Sequence, residues 1–407
     1  ALWKRLEERG WIYQGTYEGW YSVRDEAFYQ PDEISTTPSG EKRAPSGAPV
    51  EWVKEPSFFF KLAEMQKPLL DFYDANPGCV LPQSRFNEVR SFVAGGLKDL
   101  SVSRTSFSWG IPVPGHPKHI MYVWIDALIN YIAALGYPDE KAALYKKFWP
   151  GLHMVGKDIL RFHAVYWPAF LMAAGLRPPV RVFAHGWWTN EGEKISKSLG
   201  NVIDPFQLVE EFGLDPVRYF LMREVPFGND GDFSRKAFIH RNDGDLANDL
   251  GNLAQRTLTQ IARNCGGKMP SGKGLQSADT ALLKKIEAGL KTVRGHMEVE
   301  AIHLYLEEVW ALIAAANGYI SAEQPWSLKK DDPKRMAAVL YTTAEALRRI
   351  ALLVQPVMPD SAARLLDQLG VGKGKRTLAF IGAKGALKPG TKLPEPKALF
   401  PRLAVKA

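Results

Sequence analysis

The chain has 407 residues, 46% of them hydrophobic and 24% charged, a balance that belongs to a soluble globular protein of two to four domains with room for a sizeable core. Its 52 Lys+Arg against 44 Asp+Glu give a net charge of +8 and a pI near 9.2, which suits a polyanionic partner and equally suits mere solubility. No uninterrupted apolar run reaches membrane-spanning length, the charged opening ALWKRLEERGW is unlike a signal peptide, and two lone cysteines, Cys79 and Cys265, argue against a disulfide framework or a thiolate zinc site, so the expected place is the cytoplasm, with no membrane partner.

Along the chain, Leu2, Trp3 and Leu6 fall on one face of a short amphipathic helix that Gly10 stops. From Tyr17 to Val53 short alternating pieces (YEGWYSV, AFYQ, PVEWVK) broken by TTPSGEKRAPSGAP predict small antiparallel β-structure. Helical patterning follows from Phe58 to Tyr73, then a looser stretch through SFVAGGLKDLSVSRTSFSWGIPVPG, so the first third has the texture of an inserted module. From Ile120 the chain reads strand (IMYVW), helix (DALINYIAAL), strand (near GLHMVG), helix (ILRFHAVYWPAFLMAAG) and strand (VRVFAHG), the spacing of a parallel sheet with crossover helices. Ligands of such sheets sit at the carboxyl ends of the strands. The segments VGKDI, HGWW and GEKISKSLGNVIDP all lie at or just beyond strand ends and are expected to meet at one edge.

After Asp204 the texture is helical: Ile302, Leu306, Val309, Ile313, Ala316 and Ile320 recur at steps of three and four, and other segments repeat the habit, which predicts a helical bundle. The stretch from Gly372 to Lys397 reads as loop, with Leu399, Phe400 and Leu403 able to dock it.

Several short motifs carry chemistry. In GEKISKSLGNVIDP, residues 192 to 205, Lys194 and Lys197 could face a triphosphate and offset charge developing on a leaving pyrophosphate, with Ser196 and Ser198 adding hydroxyl donors. Taken alone, such a stretch is more often a solvated loop leading into a capped helix. In VGKDILRFH, Gly156 sits where backbone can approach a ligand, Asp158 is either a helix N-cap or an acceptor for ribose hydroxyls, and His163 taken alone reads as a satisfied core histidine.

The blocks YVWIDALINY, VGKDILRFH, FAHGWW, KISKSLGNVIDP, DPVRYFLMRE and GDFS, in this order and spacing, resemble class I aminoacyl-tRNA synthetases, and among them the methionyl-tRNA synthetase family, over essentially the whole chain. The resemblance implies an α/β plus α architecture: the end of the first catalytic half and an inserted connective-peptide module in 1–118, the second half of a Rossmann-like catalytic domain in 119–193, the lysine loop and stem-contact region in 194–240, and a helical anticodon-binding domain with a C-terminal tail in 241–407. It implies an enzyme that joins methionine to ATP, releases pyrophosphate, and passes the methionyl group from the adenylate to the terminal adenosine of tRNA(Met), with Mg²⁺ on the phosphates. By the same resemblance, Lys194, Ser196, Lys197 and Ser198 form the signature loop, with Ile195 in the slot usually held by Met and Lys197 as the principal transition-state lysine. Trp124, Ala127, Tyr131, Ile159, Phe162, His163 and Trp167 line the methionine pocket, with Leu128 replacing a common proline at its rim. A flexible thioether is well held by aromatic edges and one polar contact. Gly156, Asp158, His185, Gly186 and Trp187 surround the adenosine, Asn252 and Arg256 of NLAQR contact anticodon bases, and Trp326 stacks on one of them.

Two departures from the family pattern shape the expectation. Where many relatives carry zinc-binding cysteines, this chain has YSVRDEAFY with Ser22 and Asp25 at the matching places, so no structural zinc is expected. The family's H-x-G-H motif is absent from these residues, which leads to the expectation that a first nucleotide-binding half precedes Ala1 and that this chain alone is inactive. With no appended barrel domain, a monomer is expected. Two other readings remain open at this point: a sister class I synthetase for leucine, isoleucine, valine or cysteine, and a non-catalytic tRNA-binding protein derived from a synthetase.

Overall fold

The computed structural model describes residues 1–24, 27–29, 31, 33–196 and 200–403. The chain divides into two compact units, Ala1–His185 and Gly186–Ala407.

The first unit opens with helix α1 (Leu2–Glu8), which buries Leu2, Trp3 and Leu6 as its spacing predicts. Strands β1 (Ile12–Ser22) and β2 (Glu51–Phe60) pair antiparallel in one unbroken ten-residue register, Ile12 opposite Phe60 through Tyr21 opposite Glu51. The helical patterning expected from Phe58 is a strand as far as Phe60, and α2 covers only Gln66–Ala75. The reason is the aromatic run Phe58–Phe60, which fits a pleated surface and puts Phe58 and Phe60 into the core.

A parallel sheet holds the centre of this unit, but its third strand is not IMYVW. It is β3 (Val80–Leu81), from the stretch read as an insertion, which leads to helix α3 (Gln83–Ala94) and pairs with β6 (Arg181–His185); β6 in turn pairs with β5 (Leu152–Gly156). Of IMYVW only Ile120 and Met121 are strand, the end of β4 (His116–Met121), which runs antiparallel to Ser103–Arg104 and Pro112–Val113, while Val123 and Trp124 already belong to the following helix. The burial patterns give the cause. Val182, Phe183 and Ala184 are buried in succession, as a strand covered on both faces requires, whereas β4 buries only its end, His119 and Ile120. Helix α4 (Val123–Ala133) and a composite helix after β5 complete the layers: a 3₁₀ turn at Lys157–Ile159, one π-helical turn at Phe162–Tyr166 and α5 (Trp167–Ala173). Leu69, Tyr73, Val80, Val155, Trp167 and Phe170 share one core, so α2 and β3 belong structurally with the sheet.

The second unit begins with a hairpin, β7 (Trp188–Asn190) and β8 (Glu193–Lys194), whose first strand also pairs in parallel with β9 (Gly231–Phe233). Between them run α6 (Pro205–Phe212) and α7 (Leu214–Arg223), which pack Leu208, Val217 and Phe220 against Phe233 and Phe238. Helix α8 (Arg235–Arg241) passes through a ten-residue π-helical segment, Asn242–Gly251, into α9 (Asn252–Asn264). Helices α10 (Ser277–Glu298), α11 (Ile302–Glu323), α12 (Pro333–Val354) and α13 (Pro359–Gln368) form the bundle, and Leu306, Val309, Ile313, Ala316 and Ile320 are buried at the predicted steps. The tail keeps three short 3₁₀ turns and is docked by buried Leu399 and Phe400. Both cysteines are free thiols, Cys79 buried and Cys265 half-buried.

Candidate functional site

Trp124, Ala127 and Tyr131 stand three and four residues apart on α4, hence on one face of it. Across from them the π-helical turn carries Phe162 and His163, a local form often found at functional sites. The Trp124 and Phe162 rings stack with centroids 3.8 Å apart and planes 9° apart, and Trp124 meets His163 edge-on at 6.0 Å. His163 is 2% exposed. Its Nδ1 lies 2.9 Å from the Ile159 carbonyl oxygen, which can only accept, so the ring proton sits on Nδ1. Nε2, 2.8 Å from the Tyr131 hydroxyl, therefore accepts. Burial holds the His163 pKa below its ordinary value, with the carbonyl bond partly offsetting, so the ring is neutral.

Behind this pair stands His153, which no sequence motif marked. Its ring lies 4.0 Å from that of Tyr131, its Nε2 accepts from Trp167 Nε1 at 3.2 Å, and burial together with nearby His163 pushes its pKa down to about 4. The signal was the strand alternation LHMVG, in which His153 and Val155 turn inward while Leu152 and Met154 turn out. Trp167 is fully buried among core residues, Ile159 is half-buried, and Ala127 is exposed. Leu128 is 1% exposed and packs in the core, away from the rim expected for it.

Gly156 and His185 are register partners at the ends of β5 and β6. A Cβ at Gly156 would lie 2.5 Å from Asp158 Oδ1 and 3.8 Å from His185 Cε1, so the glycine is what leaves room for the carboxylate beside the two strand ends. Asp158 is not an N-cap: it lies inside the 3₁₀ turn that Gly156 caps.

In the second unit, a Cβ at Gly186 would come within 2.1 Å of the Asn229 carbonyl oxygen, so only glycine permits this backbone approach. Trp187 N donates to Asp230 Oδ1 at 2.9 Å and its carbonyl accepts from Gly231 N at 2.8 Å; its side chain is 51% exposed. The lysine stretch starts on a hairpin whose turn residues Glu191 and Gly192 have φ of 50° and 83°, the geometry of a type I′ turn. Lys194 is exposed on β8, opposite Thr189. Asn201 ties the base of the loop: its Oδ1 accepts from Ser196 N at 2.8 Å, its Nδ2 donates to the Lys194 carbonyl at 3.0 Å, and its own carbonyl accepts from Asn190 Nδ2 at 2.9 Å. Asp232 Oδ1 accepts from Gly192 N at 2.8 Å and Thr189 Oγ1 at 2.5 Å, which gives the GDFS block a role that reading it as a pattern missed. Asp204 caps α6 through Phe206 N at 2.8 Å. Lys197 and Ser198 lie outside the described residues, as does Asp25; Ser22 is buried at the end of β1.

On the bundle, Leu253, Ala254, Thr257, Leu258 and Ile261 bury one face of α9 and leave Asn252 exposed and Arg256 half-buried. The Arg256 guanidinium lies 5.1 Å from the centroid of the Trp326 ring, and Trp326 is 42% exposed.

Known proteins match this arrangement from end to end. The family described as tRNA synthetases class I (M) matches residues 1–258, and the anticodon binding domain of methionyl tRNA ligase matches residues 269–406. The methionine–tRNA ligase of Brucella suis biovar 1 is 56% identical over 403 residues, which cover 99% of this chain and 78% of that protein. The enzyme of Mycobacterium tuberculosis H37Rv is 50% identical over 406 residues, covering 98% of this chain and 78% of that protein. The structure of Mycobacterium tuberculosis methionyl-tRNA synthetase in complex with methionyl-adenylate superposes with a TM-score of 0.94 at 51% identity, over 98% of this chain and 79% of that one. With its class I catalytic fold joined to a helical anticodon-binding bundle, the chain belongs to the methionyl-tRNA synthetase family, the methionine–tRNA ligases.

Proposed function

We propose that this methionine–tRNA ligase holds the methionine side chain among Trp124, Ala127, Tyr131, Ile159, Phe162 and His163, with Trp167 supporting them from behind through His153. The neutral His163, fixed between Tyr131 and the Ile159 carbonyl, carries this reading. A thioether offers no charge to pair with, so a polar wall locked in its neutral tautomer costs least beside it.

Gly156, Asp158 and His185 serve the adenosine, with Asp158 accepting from ribose hydroxyls; Gly186 and Trp187 contribute to the same task. In the first step the methionine carboxylate attacks the α-phosphorus of ATP, the bond to the bridging oxygen breaks and pyrophosphate leaves. Lys194 and Lys197, with Ser196 and Ser198, offset the charge that gathers on the departing phosphates. In the second step a ribose hydroxyl of the terminal adenosine of tRNA(Met) attacks the carbonyl carbon and AMP leaves. Mg²⁺, when bound with the triphosphate, would supply positive charge that offsets the phosphates. We assign no structural zinc.

The work is divided along the chain as the motifs divide it, with 1–118 as the end of the first catalytic half and connective-peptide module, 119–193 as catalytic, 194–240 as lysine loop and stem contact, and 241–407 as anticodon-binding, where Asn252, Arg256 and Trp326 read bases. The protein acts as a cytoplasmic monomer; among the described residues no helix is long and apolar enough to cross a membrane. Amino-acid-dependent ATP–pyrophosphate exchange by the enzyme tests the amino-acid assignment. Exchange is expected with methionine, and faster exchange with leucine, isoleucine, valine or cysteine would overturn it.

A further inference from the structure

The tail that follows α13 carries a charge pattern that neither the catalytic residues nor the anticodon contacts use. Between Gln368 and Glu395 there is no Asp or Glu, while Lys373, Lys375, Lys384, Lys388 and Lys392 and Arg376 all fall in that span. Arg376 is taken up by Asp367 at 2.5 Å and by the Val371 carbonyl. The five lysines form no ion pair with any described residue.

The fold concentrates these charges. Met269 N donates to the Thr391 carbonyl at 2.8 Å, Gly390 N to the Met269 carbonyl at 2.8 Å and Leu393 N to the Gly267 carbonyl at 2.9 Å, which fastens the tail to the chain leaving α9. The result is an antiparallel bridge that sets Lys392 directly opposite Lys268, both exposed. Like charges in directly opposed positions destabilise a strand pair. Beside this bridge, Lys375 and Lys388 line a single cavity of about 270 Å³, whose wall also includes Gly370, Gly372 and Thr391. Four of its lining positions, Gly370, Gly372, Gly374 and Gly385, are glycines with no side chain to block an approaching chain, and the volume is below the ~300–1,000 Å³ of pockets that enclose a whole drug-sized ligand.

We propose that Lys268 and Lys392, together with the Lys375/Lys388 cavity, form a phosphate-contacting surface for the sugar–phosphate backbone of the tRNA. A bound anion would relieve the repulsion between Lys268 and Lys392, and four lysines brought together from two segments match a run of phosphates. The helix they adjoin is the one that bears Asn252 and Arg256, so RNA engaged there extends a charged backbone along the same unit. Phosphate contacts of this kind position the nucleic acid without reading its sequence. The inference rests on tRNA being the partner of this bundle.

The test uses two double variants of the enzyme, Lys268→Gln/Lys392→Gln and Lys375→Gln/Lys388→Gln, with tRNA affinity measured across a salt series. Each lost phosphate contact removes roughly 0.7–0.9 from the slope of log affinity against log salt, so each double variant should lower that slope by roughly 1.4–1.8. Methionine-dependent pyrophosphate exchange should be unchanged, and melting of the Lys268→Gln/Lys392→Gln variant should be unchanged or raised. An unaltered salt slope in both variants, with exchange intact, overturns the proposal while leaving the enzyme reading in place. Loss of exchange and of tRNA binding in the unmodified enzyme would instead overturn that reading. A thermal shift with inorganic phosphate, present in the unmodified enzyme and absent in the variants while the tRNA slope stays fixed, would identify a free-anion site and also overturn it. Single Lys268→Gln and Lys375→Gln variants, each expected to lower the slope by about half as much, serve if either double variant does not fold.

Discussion

Tyr131 donates its hydroxyl proton to Nε2 of His163 across 2.8 Å, while Nδ1 of the same ring is held by the Ile159 carbonyl one helical turn back at 2.9 Å. Both nitrogens of a buried imidazole are thus spoken for, and the ring has one tautomer. Tyr131→Phe keeps the ring and its packing and leaves Nε2 buried without a donor, a loss of about 1–3 kcal/mol. Exchange assays should show kcat/KM for methionine falling roughly tenfold to a hundredfold with the KM for ATP little changed. Equal damage to both substrates would mean that the hydroxyl holds the unit together and not the methionine site.

Gly156→Ala tests the adenosine side. The added methyl carbon would sit 2.5 Å from Asp158 Oδ1, closer than any real contact, so the carboxylate must turn away. A hydrogen bond from a ribose hydroxyl to a charged group is worth about 1.5–3 kcal/mol, which predicts a rise of roughly tenfold or more in the KM for ATP. The melting temperature should move little, since a side-chain rotation relieves the clash. Unchanged ATP binding would remove Asp158 from the adenosine contacts.

His153 predicts an acid-sensitive first unit. Its folded pKa of about 4 lies below the usual ~6.5, so between those values the unfolded chain binds a proton that the folded one refuses. Stability should be at its full value above pH ~6.5 and decline as the pH falls toward 4, by about 3 kcal/mol at the limit. His153→Gln, which carries no titrating ring, should flatten this decline in denaturant melts run from pH 7 to pH 4. A variant as acid-sensitive as the parent would place the effect elsewhere.

How much of this was readable beforehand differs by element. The bundle was legible because Leu306, Val309, Ile313 and Ile320 must face one way on a helix, and they are buried as a set. The parallel sheet was half legible: LHMVG and VRVFAH were found, but two-residue β3 carries too little pattern to be seen, and β4 looked like its substitute. In the site, residues with chemical motifs stood out, whereas those that hold them did not. Asn201, Asp232 and His153 act through hydrogen bonds to partners up to 43 residues away, and periodicity holds no trace of such pairings. The pairing of Trp326, in a turn, with Arg256, 70 positions earlier in the chain, is likewise invisible to spacing.

Asn201 is the next place to intervene. Its side chain spans the Lys194 carbonyl and the Ser196 amide, so Asn201→Ala releases both from the loop base. Misplacing a catalytic group by ~1 Å can cost about a hundredfold in rate. The exchange kcat should therefore fall roughly tenfold to a hundredfold while methionine binding, followed by tryptophan fluorescence, stays near its original strength. Lys197→Ala should show the same division more severely, depressing adenylate formation far more than methionine binding. Weakened methionine binding in step with rate would argue that these residues serve the ground state.

Trp326 and Arg256 offer a cleaner separation, because charging and activation are read by different assays. Stacking of a base on an aromatic ring is worth about 1–3 kcal/mol, so Trp326→Ala should cut kcat/KM for tRNA charging several-fold to a hundredfold and leave methionine-dependent pyrophosphate exchange nearly intact. Arg256→Ala should do likewise if it makes the base contact proposed for it. The two are not independent: with the guanidinium 5.1 Å from the indole centroid, each orders the other before tRNA arrives. A double-mutant cycle on charging should accordingly show a coupling of about 0.5–1 kcal/mol, the size of a half-exposed cation–π pair. Strict additivity would mean that the stacked pair dissolves when tRNA binds. Collapse of exchange along with charging would make Trp326 a structural residue, an outcome its 42% exposure argues against.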